Sequence, residues 1–179
     1  MKIQKLSSLP LLTAIAIFSS TNPVHSESKL PSEQTFFCQT DGDTSTTVAK
    51  SSNGELQPIF HWKSTALPPN TNPEQLCSRV SQQLENHLVS QNNLSSMGFK
   101  STNLENIPII CATDKDNNCQ TVLLSLNPVE NPVKTANSVL NSTLDSQLQK
   151  NKITSRDRGV QSHYYQVNFW QILGLKFIK

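Results

Sequence analysis

Residues 72–89, NPEQLCSRVSQQLENHLV, constrain the fold more than any other stretch, because they specify a helix and put a cysteine on it. Asn72 is a preferred N-cap, since its side-chain oxygen can accept from a free N–H of the first turn. Pro73 follows where its missing N–H costs nothing, and Gln75 completes a capping-box pattern. Leu76, Val80, Leu84 and Leu88 recur every four residues and form one apolar stripe. Cys77 lies beside that stripe, so it is expected at the edge of a core. The other cysteines, Cys38, Cys111 and Cys119, fall in strand-like segments before and after the helix.

The first 26 residues read as a secretory signal peptide: Lys2 and Lys5, an apolar run over 9–18, and a small residue, Ser26, at the cleavage position. The apolar run is near ten residues, too short for the roughly 20 that a spanning helix needs. Removing the leader leaves about 153 residues, enough for one domain with a core of its own. Four cysteines in an exported chain read as two disulfides. The net charge of +2 conceals an asymmetry. Residues 27–149 carry 7 basic and 12 acidic side chains, whereas 150–179 carry 6 basic and 1 acidic. The expected organisation is therefore a leader (1–26), a mildly acidic domain (27–149) and a basic, aromatic tail (150–179). No basic stripe in the domain points to nucleic acid.

Within the domain, residues 35–39 and 45–50 have strand composition, and Asn53-Gly54 is the best type I′ hairpin signal before a strand at 56–62. Pro58 suggests an edge or a bulge in that strand. After the helix, 94–100, 107–113 and 120–126 are further strands. The last two flank the polar turn 114–118. A final helix is expected from Asn131-Pro132, with Val133, Ala136, Leu140, Leu144 and Leu148 on one face. The order β-β-β-α-β-β-β-α implies an α+β fold, an antiparallel sheet of five or six strands with two helices. Four cysteines allow three pairings. A turn centred on Lys115 brings Cys111 and Cys119 opposite each other, within reach of a bridge, which leaves Cys38 for Cys77.

Several motifs occur in order: Phe36-x-Cys38, Pro58-Ile59-Phe60-x-Trp62, Pro73-x-x-x-Cys77-x-x-Val80-Ser81, Ile110-Cys111, Cys119 and Leu123-Leu124-Ser125-Leu126. Together, from Phe36 to about Leu148, they resemble the cyanobacterial circadian oscillating protein domain family. That family usually has Arg before the helix cysteine, where this chain has Leu76. The resemblance implies an exported protein, in some members peripheral to membrane and rhythmic in abundance, with no catalytic residues assigned.

The residues supply little chemistry. Asp114-x-Asp116-x-Asn118 begins like a calcium loop, but Cys119 stands where Gly is needed and Ser125 where the bidentate Glu belongs. Asp41-Gly42-Asp43 reads as an acidic turn. There is no C-x-x-C for zinc or redox work, and no phosphate-loop, dinucleotide or metalloprotease motif. His61 and His87 belong to no recognisable catalytic spacing. No metal or cofactor is expected. Phe169, Trp170, Ile172, Leu173 and Phe177, beside tail lysines, suit contact with a membrane surface or a protein partner; the alternative is an extension whose apolar end packs loosely on the domain. The expected function is thus a non-enzymatic exported domain that binds a protein or a membrane surface. The alternative is an exported hydrolase whose site assembles from distant residues.

Overall fold

The computed structural model describes residues 34–90, 97–157 and 160–174, all within the unit Glu33–Lys179. Residues 1–26, expected to form a leader, and residues 91–96, where the strand from Leu94 was expected to start, lie outside the described residues. Three strands, β1 (Phe36–Asp41), β2 (Thr44–Lys50) and β3 (Leu56–Lys63), form an antiparallel sheet in that order. Helix α1 (Pro73–Ser90) follows, then β4 (Gly98–Leu104), β5 (Ile107–Thr113) and β6 (Cys119–Ser125). After α2 (Pro132–Thr143) come β7 (Lys152–Asp157), β8 (Val160–Gln166) and a short α3 (Phe169–Ile172). The second sheet is also antiparallel, ordered β6-β5-β4-β8-β7.

The α+β class, the antiparallel pairing and both disulfides agree with the sequence reading; the strands, however, divide between two sheets. In α1, Asn72 Oδ1 accepts the Gln75 N–H at 3.0 Å, and Leu76, Val80 and Leu84 are buried. Cys77 is fully buried and bridges to Cys38, with the Cα atoms 5.5 Å apart. Glu85, two turns on, accepts the N–H groups of Thr35 and Phe36 at 3.1 and 2.9 Å, so α1 holds the start of β1 by a covalent and a charged contact. Cys111 bridges to Cys119 as expected. The register differs: bulges in the β5–β6 ladder set Cys119 opposite Thr113, and the bridge crosses diagonally.

Other local expectations change. Asn53-Gly54 lies in a five-residue loop in which only Gly54 has positive φ. The turn with two central positive-φ residues, the type I′ signature, is Glu105-Asn106 between β4 and β5. Helix α2 ends at Thr143 rather than running to Leu148, because Leu144 turns extended and joins Phe60 in a β-bridge. Asp145 N–H then donates to Ile59 O at 2.9 Å. Asn131 stands at the α2 N-cap without a side-chain capping bond.

The main correction concerns residues 150–179. They were expected to form a tail outside the domain, but β8 pairs with β4 through Gly98–Gln166, Phe99–Tyr165 and Lys100–Tyr164. Two asparagines one turn apart on α2 fasten the strand. Asn137 Oδ1 accepts the His163 N–H at 3.1 Å while its Nδ2 donates to Gln161 O at 2.7 Å. Asn141 Oδ1 accepts from the Tyr165 hydroxyl and lies 3.1 Å from His163 Nδ1. Gly98 is required where β4 meets β8, since a Cβ there would sit 2.4 Å from the Tyr164 ring. Beyond β8, Phe169 is 0% exposed and packs edge-on against Phe36 and Phe99, with centroids 5.8 and 5.9 Å away. Leu173 is 4% exposed, and its carbonyl accepts from Ser52 N–H at 2.9 Å. Neither residue is available to a membrane or a partner, because each completes the core. Ile172 is partly buried; the side chain of Trp170 and all of Phe177 lie outside the described residues.

Candidate functional site

Three separated segments wall one open cleft of about 590 Å³. The start of β3 contributes Glu55, Leu56 and Gln57. The 3-10 turn Leu148–Asn151 and the residue before it contribute Gln147, Leu148, Lys150 and Asn151. The exit from β8 and the end of α3 contribute Gln166, Val167, Asn168 and Ile172. Each wall is fixed. The β3 wall is held in the ladder by Ala49–Gln57 and Lys50–Leu56. The turn is held by Asp145, whose Oδ1 accepts the Gln147 N–H at 2.9 Å and whose carbonyl accepts the N–H groups of Leu148 and Gln149. Val167 N–H donates to Met97 O at 3.1 Å. Carboxamides dominate the polar lining. Gln57 Nε2 donates to Pro58 O at 3.1 Å, and Gln147 Oε1 accepts from Lys150 Nζ. The side-chain amides of Asn151 and Gln166 bond to no protein group among the described residues. The cleft therefore offers unspent donors and acceptors at nearly no net charge.

A second constellation joins Thr46, His61 and Asp145. His61 Nε2 lies 3.0 Å from Asp145 Oδ2, and its Nδ1 lies 3.4 Å from Thr46 Oγ1. With Nε2–H donating to the carboxylate, Nδ1 faces the hydroxyl as an acceptor, the arrangement of an oriented general base. Thr46 sits in the middle of the central strand, paired with Gln39 on one side and His61 on the other, and its main chain belongs to the ladder. The His61–Asp145 contact also ties β3 to the chain leaving α2, where Asp145 organises the cleft turn. Sequence spacing could not reveal this trio, because Asp145 is 84 residues from His61.

Of the other titratable groups singled out from the sequence, Asp114 and His87 have structural partners. Asp114 folds its own turn: Oδ1 accepts the N–H groups of Asp116 and Asn118, each at 2.9 Å, and Oδ2 accepts from Asn118 and Gln120 side chains. The backbone bond from Asn118, with the others, holds its pKa below the ordinary carboxylate value. The acidic turn at Asp41-Gly42-Asp43 is a tight hairpin with Gly42 at positive φ. His87 is 2% exposed, its Nδ1 lies 2.8 Å from Thr121 Oγ1, and burial lowers its pKa. His163 is also lowered, by burial and then by the charge of Lys152. Among the described residues no group of three or more His, Cys, Asp or Glu could hold a metal ion, and no described helix is long and apolar enough to cross a membrane.

The model of the family described as circadian oscillating protein COP23 matches residues 35–173. The chain belongs to that family. The match runs past Leu148 to take in β7, β8 and most of the segment around α3, the part of the chain that the structure also places in the domain. No curated protein and no solved structure matches the chain.

Proposed function

We propose that this member of the family is an exported domain without catalytic chemistry of its own, whose task is to bind a partner at a preformed surface cleft. One observation carries the reading: the cleft is walled by three segments held in place, yet Asn151 and Gln166 leave their amides unspent there. Fixed walls reduce the ordering cost of binding, and unspent polar groups supply orientation. The two disulfides suit an oxidising compartment and support export. The membrane variant of this reading loses two of its proposed anchors, since Phe169 and Leu173 lie in the core.

A photo-crosslinking residue placed at Gln166 in the full-length protein in its native host tests the reading. It should trap a discrete adduct that the same residue at exposed Leu104, outside the cleft, does not. Equal adducts at both positions would remove the cleft from the proposal. The hydrolase alternative rests on Thr46, His61 and Asp145. It requires turnover of an ester, phosphate, glycoside or peptide that His61→Gln abolishes.

A further inference from the structure

We propose that the cleft binds a neutral oligosaccharide, an inference that rests on the binding-domain reading and names its ligand. Five of the eleven lining residues are carboxamides, whereas Asn and Gln make up 31 of the chain's 179 residues, so the cleft concentrates them well beyond composition. A carboxamide donates two N–H bonds and accepts at its oxygen. A sugar hydroxyl likewise donates and accepts, so the two pair without placing a charge in the site. Charged ligands fit less well: Glu55 and Lys150 oppose each other in sign, and the Lys150 ammonium is already engaged by Gln147. The floor is aliphatic. Leu56 is 49% exposed, and the partly exposed Leu148 and Ile172 lie in the same cleft, offering C–H surface to the apolar face of a pyranose ring. An extended peptide would need main-chain groups to pair with. The β3 wall runs into Pro58, which has no N–H, and the Pro58 carbonyl is taken by Gln57 Nε2. The volume of about 590 Å³ falls within the range of small-ligand sites.

The test uses the full mature protein. An array of neutral glycans selects candidates, and NMR titration with maltotriose, cellotriose and chitotriose follows the side-chain amides. At least one oligosaccharide should shift the Asn151 and Gln166 amides saturably. The double variant Asn151→Ala/Gln166→Ala should weaken that binding at least tenfold, with the backbone spectrum elsewhere unchanged because both side chains are exposed. A neutral peptide library is titrated in parallel. Saturable peptide shifts in the cleft without any from sugars would overturn the glycan assignment and leave the binding-domain reading standing. No saturable shift in the cleft from either class, with equal crosslinking at Gln166 and Leu104, would overturn both.

Discussion

Replacing Phe169 by Ala separates a free tail from an integrated one. The ring is fully buried, and it meets Phe36 and Phe99 edge-on. Truncating a buried Phe to Ala costs about 3–5 kcal/mol, from lost burial plus the cavity left behind. Two aromatic contacts, each about 0.5–1.5 kcal/mol beyond area, place this site toward the upper half of that range. An exposed tail residue would cost no more than about 0.5 kcal/mol. The assay is urea unfolding of the protein with both disulfides intact, followed by far-UV circular dichroism. With a urea m-value of about 2 kcal/mol/M, a loss of about 4 kcal/mol moves the midpoint down by about 2 M. Leu104→Ala, at a residue 58% exposed, is the control and should leave the midpoint within about 0.3 M. A Phe169→Ala loss below about 1 kcal/mol would refute the packing of α3 against the two sheets. The same packing bears on lipid-binding experiments: ending the chain after Gln149 would strip Tyr165, Val167, Phe169 and Leu173 from the core, so it would unfold the domain rather than isolate a tail.

Gly98→Ala should destabilise by about 1–3 kcal/mol, because the new methyl meets the Tyr164 ring; Tyr164→Leu in that background should recover part of the loss, and a neutral Gly98→Ala would contradict the β4–β8 approach. The bridge Cys38–Cys77 closes a separation of 39 residues and Cys111–Cys119 one of 8, so chain entropy assigns about 4 and about 2.5 kcal/mol. Replacing both members of the first pair by Ala should therefore lower the urea midpoint more than replacing both of the second, and the reverse order would sink that account. Burial holds His87 below its ordinary pKa of about 6.5, so the unfolded chain takes up its proton first as pH falls. The stability this His supports is full above about pH 6.5 and is lost as pH drops from there toward the folded value. His87→Gln should flatten part of the fall in midpoint between pH 7.5 and 5.5, with a slope of the same sign left by His163; identical slopes would exclude the His87 contribution.

What the sequence by itself determined is local. The α1 cap at Asn72 and the stripe Leu76, Val80, Leu84 need only neighbours within a few positions, and both read correctly. The Cys111–Cys119 pairing follows from a short hairpin, and Cys38–Cys77 follows by elimination. The register of that hairpin was not legible, because the bulges depend on how β5 packs in its sheet. Helix α2 continued in pattern to Leu148, but Leu144 gains a β-bridge to Phe60, 84 residues earlier, and the helix stops. Residues 152–166 pair with each other as the β7–β8 hairpin, but the contacts that dock this hairpin on the domain lie on β4 and α2, more than 20 residues away, so from sequence the stretch looked like a polar, basic extension. The aromatic run after them looked like an anchor because hydrophobicity alone does not say whether a ring enters a bilayer or its own core. Only the tertiary structure, by setting Phe36 and Phe99 around Phe169, decided that. The cleft belongs wholly to the tertiary level: its walls come from residues 55–57, 147–151 and 166–172, and an ordinary glutamine or asparagine carries no local mark that two others will face it.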